Sequence, residues 1–174
     1  MPASYQAPMR RDSEKKHDTM SQTKGTNLTN DTATVRRLLD GKKTGVISIT
    51  PQDSLATAVK LLSENKIGAL IVNDDKGNLI GILSERDIVR KLAETPGQTL
   101  PQSVADNMTR DVITCDLEDT LVEILRLMTK GKFRHMPVVE NGKVCGMVTI
   151  GDVVNYRLTE LENEALQLKQ MIVG

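Results

Sequence analysis

A stretch that occurs twice constrains this chain more than anything else in it. Gly81-Ile82-Leu83-Ser84-Glu85-Arg86-Asp87-Ile88-Val89 returns as Gly146-Met147-Val148-Thr149-Ile150-Gly151-Asp152-Val153-Val154. Each copy runs from a glycine through two apolar residues to a hydroxyl, with an Asp three residues on and apolar residues after it. That is a strand entering a helix, and Ser/Thr-x-x-Asp there has the form of an N-terminal capping box. One copy would carry no more than that. Two copies at equivalent places point to a shared role. A helix N-terminus offers free N–H groups and a positive dipole end, which suit a phosphate or a polar ligand edge. An Asp in the first turn repels a phosphate but accepts both hydrogens of a ribose diol. The pairing therefore favours a nucleoside or nucleotide over a bare anion.

The rest of the chain repeats around this element. Thr34 to Asp40 predicts a short helix, with Val35, Leu38 and Leu39 on one side and Gly41 as its stop. Val46 to Ile49 predicts a strand, and Pro51-Gln52-Asp53-Ser54 opens a helix carrying Leu55, Val59 and Leu62. Ala69–Val72 and Leu79–Leu83 read as a hairpin around Asn73 to Asn78. The helix from Glu85 is expected to bury Ile88, Val89 and Leu92. After a turn-rich connector the order returns: a strand over Val112–Cys115, a helix opened by Thr120-Leu121-Val122-Glu123 with Leu121, Ile124, Leu125 and Met128 inward, a hairpin around Asn141-Gly142, and a last helix from near Ile150. Val46 matches Val112, Leu55 matches Leu121, and Asp87 matches Asp152 with one residue deleted. A unit copied once makes two half-domains rather than a solenoid. Each β-α-β-β-α unit leaves one sheet face uncovered, and the sister unit is the obvious cover. The fold class expected is α+β, two repeats about a pseudo-two-fold axis plus a C-terminal helix. The divisions are 1–31 as a disordered tail, 32–95 as the first repeat with its preceding short helix, 96–107 as connector, 108–158 as the second repeat and 159–174 as the C-terminal helix.

Composition narrows the function classes. Lys+Arg and Asp+Glu are 23 each, so no global field draws the chain to nucleic acid or to an anionic membrane. Aromatics are 2%, which leaves few platforms for stacking on single strands. Nothing approaches the length of a membrane span, and a cytoplasmic protein is expected. Cys115 and Cys145 sit in apolar strand patterns and read as small buried side chains. Two histidines give a metal site little to draw on. No Ser–His–Asp arrangement or catalytic cysteine loop is evident, so no enzyme activity or catalytic cofactor is expected. His135 lacks a base or nucleophile partner and reads as a phosphate or backbone contact. Leu158, Leu161, Ala165, Leu168 and Ile172 recur at spacings of three and four, a short coiled-coil-like stripe.

The two Gly-to-Asp stretches, together with Arg134-His135-Met136-Pro137-Val138-Val139, resemble the CBS domain, here as the tandem pair called a Bateman module. The resemblance covers about residues 34 to 158 and implies a stand-alone regulatory module for adenosine-containing ligands: AMP, ATP, NAD and their relatives. It implies ribose hydroxyls on Asp87 and Asp152, with Ser84 and Thr149 nearby. It puts the adenine against the backbone entering each repeat, Thr44 and Val46 in one, Thr109, Arg110 and Val112 in the other. Apolar walls come from Ile67 and Ala69 and from Phe133, Met136 and Pro137. Lys132, Arg134 and His135 form a denser basic cluster for phosphates in the second half, while Arg86 is the first half's own cation. The family also implies a homodimer acting on some regulated protein.

Overall fold

The computed structural model describes residues 33–42 and 45–173; the expected tail over 1–31 and the candidate residue Thr44 lie outside them. Along the chain come α1 (Val35–Asp40), β1 (Ser48–Ile49), α2 (Leu55–Asn65), β2 (Ala69–Asn73), β3 (Leu79–Ser84) and α3 (Glu85–Glu94). Then follow α4 (Val104–Asn107), α5 (Leu121–Gly131), β4 (His135–Glu140), β5 (Lys143–Thr149) and α6 (Ile150–Val173).

Equivalent local chemistry builds the two halves. Ser54 caps α2 by accepting the Thr57 N–H, and Thr120 caps α5 in a full box with Glu123. Both helices stop on a lysine in the left-handed region, Lys66 at φ 53° and Lys132 at φ 55°. The next residue then turns back, Ile67 N–H onto Leu62 O at 3.1 Å and Phe133 N–H onto Met128 O at 3.2 Å. β2 pairs antiparallel with β3, as β4 does with β5. The strands entering the sheets are shorter than the sequence suggests. β1 keeps Ser48 and Ile49, parallel to β2. Over Val112–Cys115 no ladder forms; Cys115 makes a single parallel bridge with Val138. Two bonds hold it, Cys115 N–H to Pro137 O and Val139 N–H to Cys115 O.

The segment leading into each repeat packs on the other repeat. Val35 and Arg36 donate to Asp119 O and Leu117 O, and Leu121 donates back to Ala33 O. In the mirror position Val104 and Ala105 donate to Asp53 O and Pro51 O, and Leu55 donates to Gln102 O. Val35 and Leu38 lie in one core with Ile124, Met136 and Val148, while Val104 and Met108 lie in the other with Leu55, Leu70 and Leu83. Such reciprocity is what a pseudo-two-fold axis produces. It places α1, grouped by sequence order with the first repeat, in the core of the second, and it turns part of the connector into core of the first. Both repeats keep a glycine in the strand that meets this crossing. A Cβ on Gly81 would stand 2.5 Å from Met108 Sδ, and one on Gly146 would stand 2.7 Å from Leu39 Cδ1.

Some inward assignments are corrected. Ile88 is buried, but Val89 and Leu92 on the same helix are exposed, and so is Val59 on α2. The core takes one narrow face of these helices, and the flanking apolar residues remain outside it. Cys115 is buried as expected; Cys145 is exposed, at the point of β5 where the pairing with β4 shifts register.

Candidate functional site

Where β3 passes into α3, Ser84 and Asp87 complete the box. Ser84 N–H and Oγ donate to Asp87 Oδ2 at 2.9 and 2.6 Å, and Ser84 Oγ accepts the Asp87 N–H at 3.3 Å. One carboxylate oxygen thus caps the helix, and the other makes no hydrogen bond among the described residues. Asp87 borders a cleft of about 400 Å³, within the size range of small-molecule sites. The opposite walls come from the second half. Thr109, bonded both ways to Ile82, brings Asp111, Val112 and Ile113 to one side. Lys132, Phe133, Arg134 and His135 form the other. The Arg86 guanidinium spans the gap, donating from Nη1 to Lys132 O at 2.8 Å.

The pseudo-symmetry explains why these residues meet. Gly68 and Arg134 occupy equivalent positions, since Glu85 N–H bonds Gly68 O and Ile150 N–H bonds Arg134 O. Their chains approach each other, and large side chains have no room on both. A Cβ on Gly68 would fall 2.9 Å from His135 Nε2, so the imidazole takes the space that the first repeat leaves empty. Burial lowers the His135 pKa below the usual imidazole range, with Glu85 pulling the other way. At neutral pH without ligand it is therefore a neutral ring, and the fixed cations of the cleft are Arg86, Arg90, Lys132 and Arg134. The basic residues of the second half stand across from Asp87 of the first, not from Asp152 of their own.

The counterpart at Asp152 differs in its surroundings. The box is the same: Thr149 N–H to Asp152 Oδ2 at 2.8 Å, and Asp152 N–H to Thr149 Oγ1 at 3.1 Å. Here, however, the Lys42 ammonium sits on the same Oδ2 at 2.6 Å and also donates to Met147 O at 3.1 Å. Burial alone would raise the Asp152 pKa, but the bonds from Lys42 and Thr149 outweigh it and leave the carboxyl below its usual range.

Of the residues singled out in the sequence, Ser84, Arg86, Asp87, Thr109, Val112, Lys132, Phe133, Arg134 and His135 line the Asp87 cleft. The others stand elsewhere. Arg110 turns back onto Ala105 O at 2.8 Å. Ala69, Met136 and Pro137 are buried, and Ile67 packs on the first core. Val46 is half-buried outside the cleft, and Thr149 and Asp152 belong to the Lys42 cluster. Among the lining residues that the sequence reading missed are Glu85, Arg90 and Ile113. Arg90 was within reach of it, because it lies one helical turn from both Arg86 and Asp87. Cys115 has no reactive prospect, its thiol pushed up to about 12 chiefly by burial.

Comparison with known proteins agrees with this architecture. The CBS domain family matches residues 42–94 and 103–159. The chain is 34% identical over 129 residues to the CBS domain-containing protein CBSX3, mitochondrial, of Arabidopsis thaliana, matching 72% of this chain and 63% of that protein's length. The crystal structure of the CBS-domain containing protein ATU1752 from Agrobacterium tumefaciens superimposes with a TM-score of 0.70 at 41% identity, covering 72% of this chain and 99% of that one. The crystal structure of CBSX2 in complex with AMP superimposes with a TM-score of 0.60 at 28% identity, covering 73% and 97%. With both repeats matched, and with the reciprocal packing that joins them, the chain belongs to the CBS-domain family as a tandem pair.

Proposed function

We propose that the protein is a regulatory sensor of an adenine nucleotide, AMP, ATP or NAD, which it takes up in the cleft at Asp87 and reports to a partner protein. The observation that carries this is the convergence, on one open cleft, of an acid with a free carboxylate oxygen and cations from both repeats. The free oxygen of Asp87 accepts the ribose hydroxyls. Thr109 to Val112 offer backbone groups to the base, and Arg86, Lys132 and Arg134 take the phosphates as charge-assisted partners. The AMP bound by the related CBSX2 supports the ligand class. A helix cap alone would account for the Ser84–Asp87 bonds but not for four cations around one cleft, two of them from the other repeat.

Binding across the gap ties the two repeats together, so the ligand acts by changing how they sit and what they present outward. The working unit is a homodimer without catalytic activity. The cytoplasm is its compartment, in keeping with two unpaired cysteines. Among the described residues no helix is long and apolar enough to cross a membrane.

Mass spectrometry of the denatured protein identifies whatever co-purifies with it, and thermal shift ranks AMP, ATP, NAD and adenosine. A shift with a nucleotide that Asp87→Asn abolishes is expected. Equal melting with and without every nucleotide, or turnover of the bound one, would overturn the reading.

A further inference from the structure

α6 continues well past the module it starts from. Its first turns are anchored by Val153 in the core and by Tyr156 against it, but every residue from Leu161 to Ile172 is exposed. The family match ends at residue 159, so this extension is outside the shared fold. Half of a helix standing alone in water is marginal, because helical stability in proteins comes mainly from packing of an apolar face. This half has such a face. Val154, Leu158, Leu161, Ala165, Leu168 and Ile172 follow one another at intervals of four and three, and Ile172 is 83% exposed. The groove toward α1 takes Tyr156, Thr159, Asn163 and, at its edge, Glu164, but no residue of the stripe, so α1 does not compete for it.

We propose that this stripe zips against the same stripe of a second copy, with the two α6 helices parallel and in register. The charges beside the stripe select the occupant and the direction. In a parallel pair each flanking residue meets the one five positions on in its partner. Glu164 then faces Lys169, and Arg157 faces Glu162, twice each by symmetry. In the antiparallel pair that keeps all six apolar layers, Glu162 meets Glu162 and Glu164 meets Glu164, which repel. A second copy run in parallel satisfies the pattern; the reverse direction does not. The two modules then hang from the same end of the zipper, so their ligand clefts share one side of the assembly. This rests on the homodimer reading and adds its interface and direction.

The test uses the full chain with Cys145→Ser. Ala165→Cys places a thiol on the stripe, where a parallel in-register pair brings it against itself. Mild oxidation at low micromolar protein is expected to give a covalent dimer, while Gln170→Cys, on the outer face of the helix, stays uncrosslinked. Lys169→Glu should weaken association about threefold to tenfold, as expected of flanking ion pairs. Adding Glu164→Lys to it should restore the wild-type mass by light scattering. A dimer that shows neither the crosslink nor the charge rescue would overturn the parallel zipper and leave the dimer reading intact. A monomer would overturn both and leave the stripe for a different protein.

Discussion

At the end of β3, Asp87 looks into open space bordered by cations; at the end of β5, the equivalent Asp152 is already held by one. The capping boxes of the two are nearly superposable in their hydrogen bonds, so the duplicated element does not decide which is a ligand site. The decision lies with the crossing segments, which are alike in path and unlike in side chains. The second leader lays Thr109 along Ile82 and leaves the carboxylate clear. The first is longer by three residues from the start of its helix to the matching valine (Val35 to Val46 against Val104 to Val112), and it delivers Lys42 onto Asp152. Lys42 offsets the charge of Asp152 on its capping oxygen, whereas the Asp87 carboxylate has no ammonium on it. Duplication makes two potential sites, and a leader segment sets a lysine on the acid of one of them.

The largest effect expected from this contrast is at the acids themselves. Asp87→Asn keeps a capping side chain but loses the charged acceptor, at a cost of about 1.5–3 kcal/mol in AMP binding, or roughly tenfold to a hundredfold in affinity. Asp152→Asn should leave AMP affinity within about twofold, given the short range of such bonds. Calorimetry on both variants checks the pair, and equal losses would dissolve the distinction between the clefts.

Next in size come the glycines at the crossings. Gly81→Ala puts a Cβ against Met108 Sδ, and Gly146→Ala puts one against Leu39 Cδ1. Each should destabilise the fold by about 1–3 kcal/mol through overpacking, measured by urea unfolding. Because each leader serves the other repeat, the loss should appear in one cooperative transition, not in that of a single half.

Lys42→Met takes the ammonium off Asp152. It should lower stability by about 1 kcal/mol, since Asp152 loses a charge-assisted partner. It should also permit a second, weaker nucleotide to bind, seen as a second step in the calorimetric titration. The Asp152 contribution has its own pH signature. Its folded pKa lies below the unfolded value near 3.9, so the stability it adds is present above that value and is lost as pH falls through the folded pKa.

The smallest effect is at His135. Its folded pKa lies below the unfolded value near 6.5, so its contribution to stability is complete above pH 6.5 and declines as the pH falls through the folded value. A phosphate next to the ring favours the charged form. AMP affinity should therefore rise about threefold from pH 8 to pH 6, with proton uptake on binding. His135→Gln should flatten that dependence without abolishing binding, which calorimetry in buffers of different ionisation enthalpy resolves.

The repeat, its element order and the acids at its strand ends were legible because each rests on local rules: apolar periodicity, turn residues and capping spacing. What could not be read was which half supplies which wall. The sequence assigns Lys132, Arg134 and His135 to the second site because they precede Asp152, whereas the two-fold carries them across to Asp87. Nor does any local rule place α1 on the second repeat, because its apolar face suits either core. The lysine that pairs with Asp152 has no signature at all in the sequence. Val89 and Leu92 were misjudged for a related reason, as helical spacing shows an apolar face but not how much of it a two-layer core covers.

The crossed leaders also set an order of assembly when the chain is made. A ribosome releases α1 before either repeat, yet Val35 and Leu38 bury themselves against Met136, Val138 and Val148. The first repeat closes sooner, once Val104 and Met108 have emerged to fill its core. During vectorial synthesis, then, α1 waits with its apolar face in water while more than a hundred residues follow it out. A chain stalled between the repeats would hold a finished half and an unsheltered helix, a form suited to capture by chaperones. Among the apolar side chains of this fold, those synthesised first are the last to be covered.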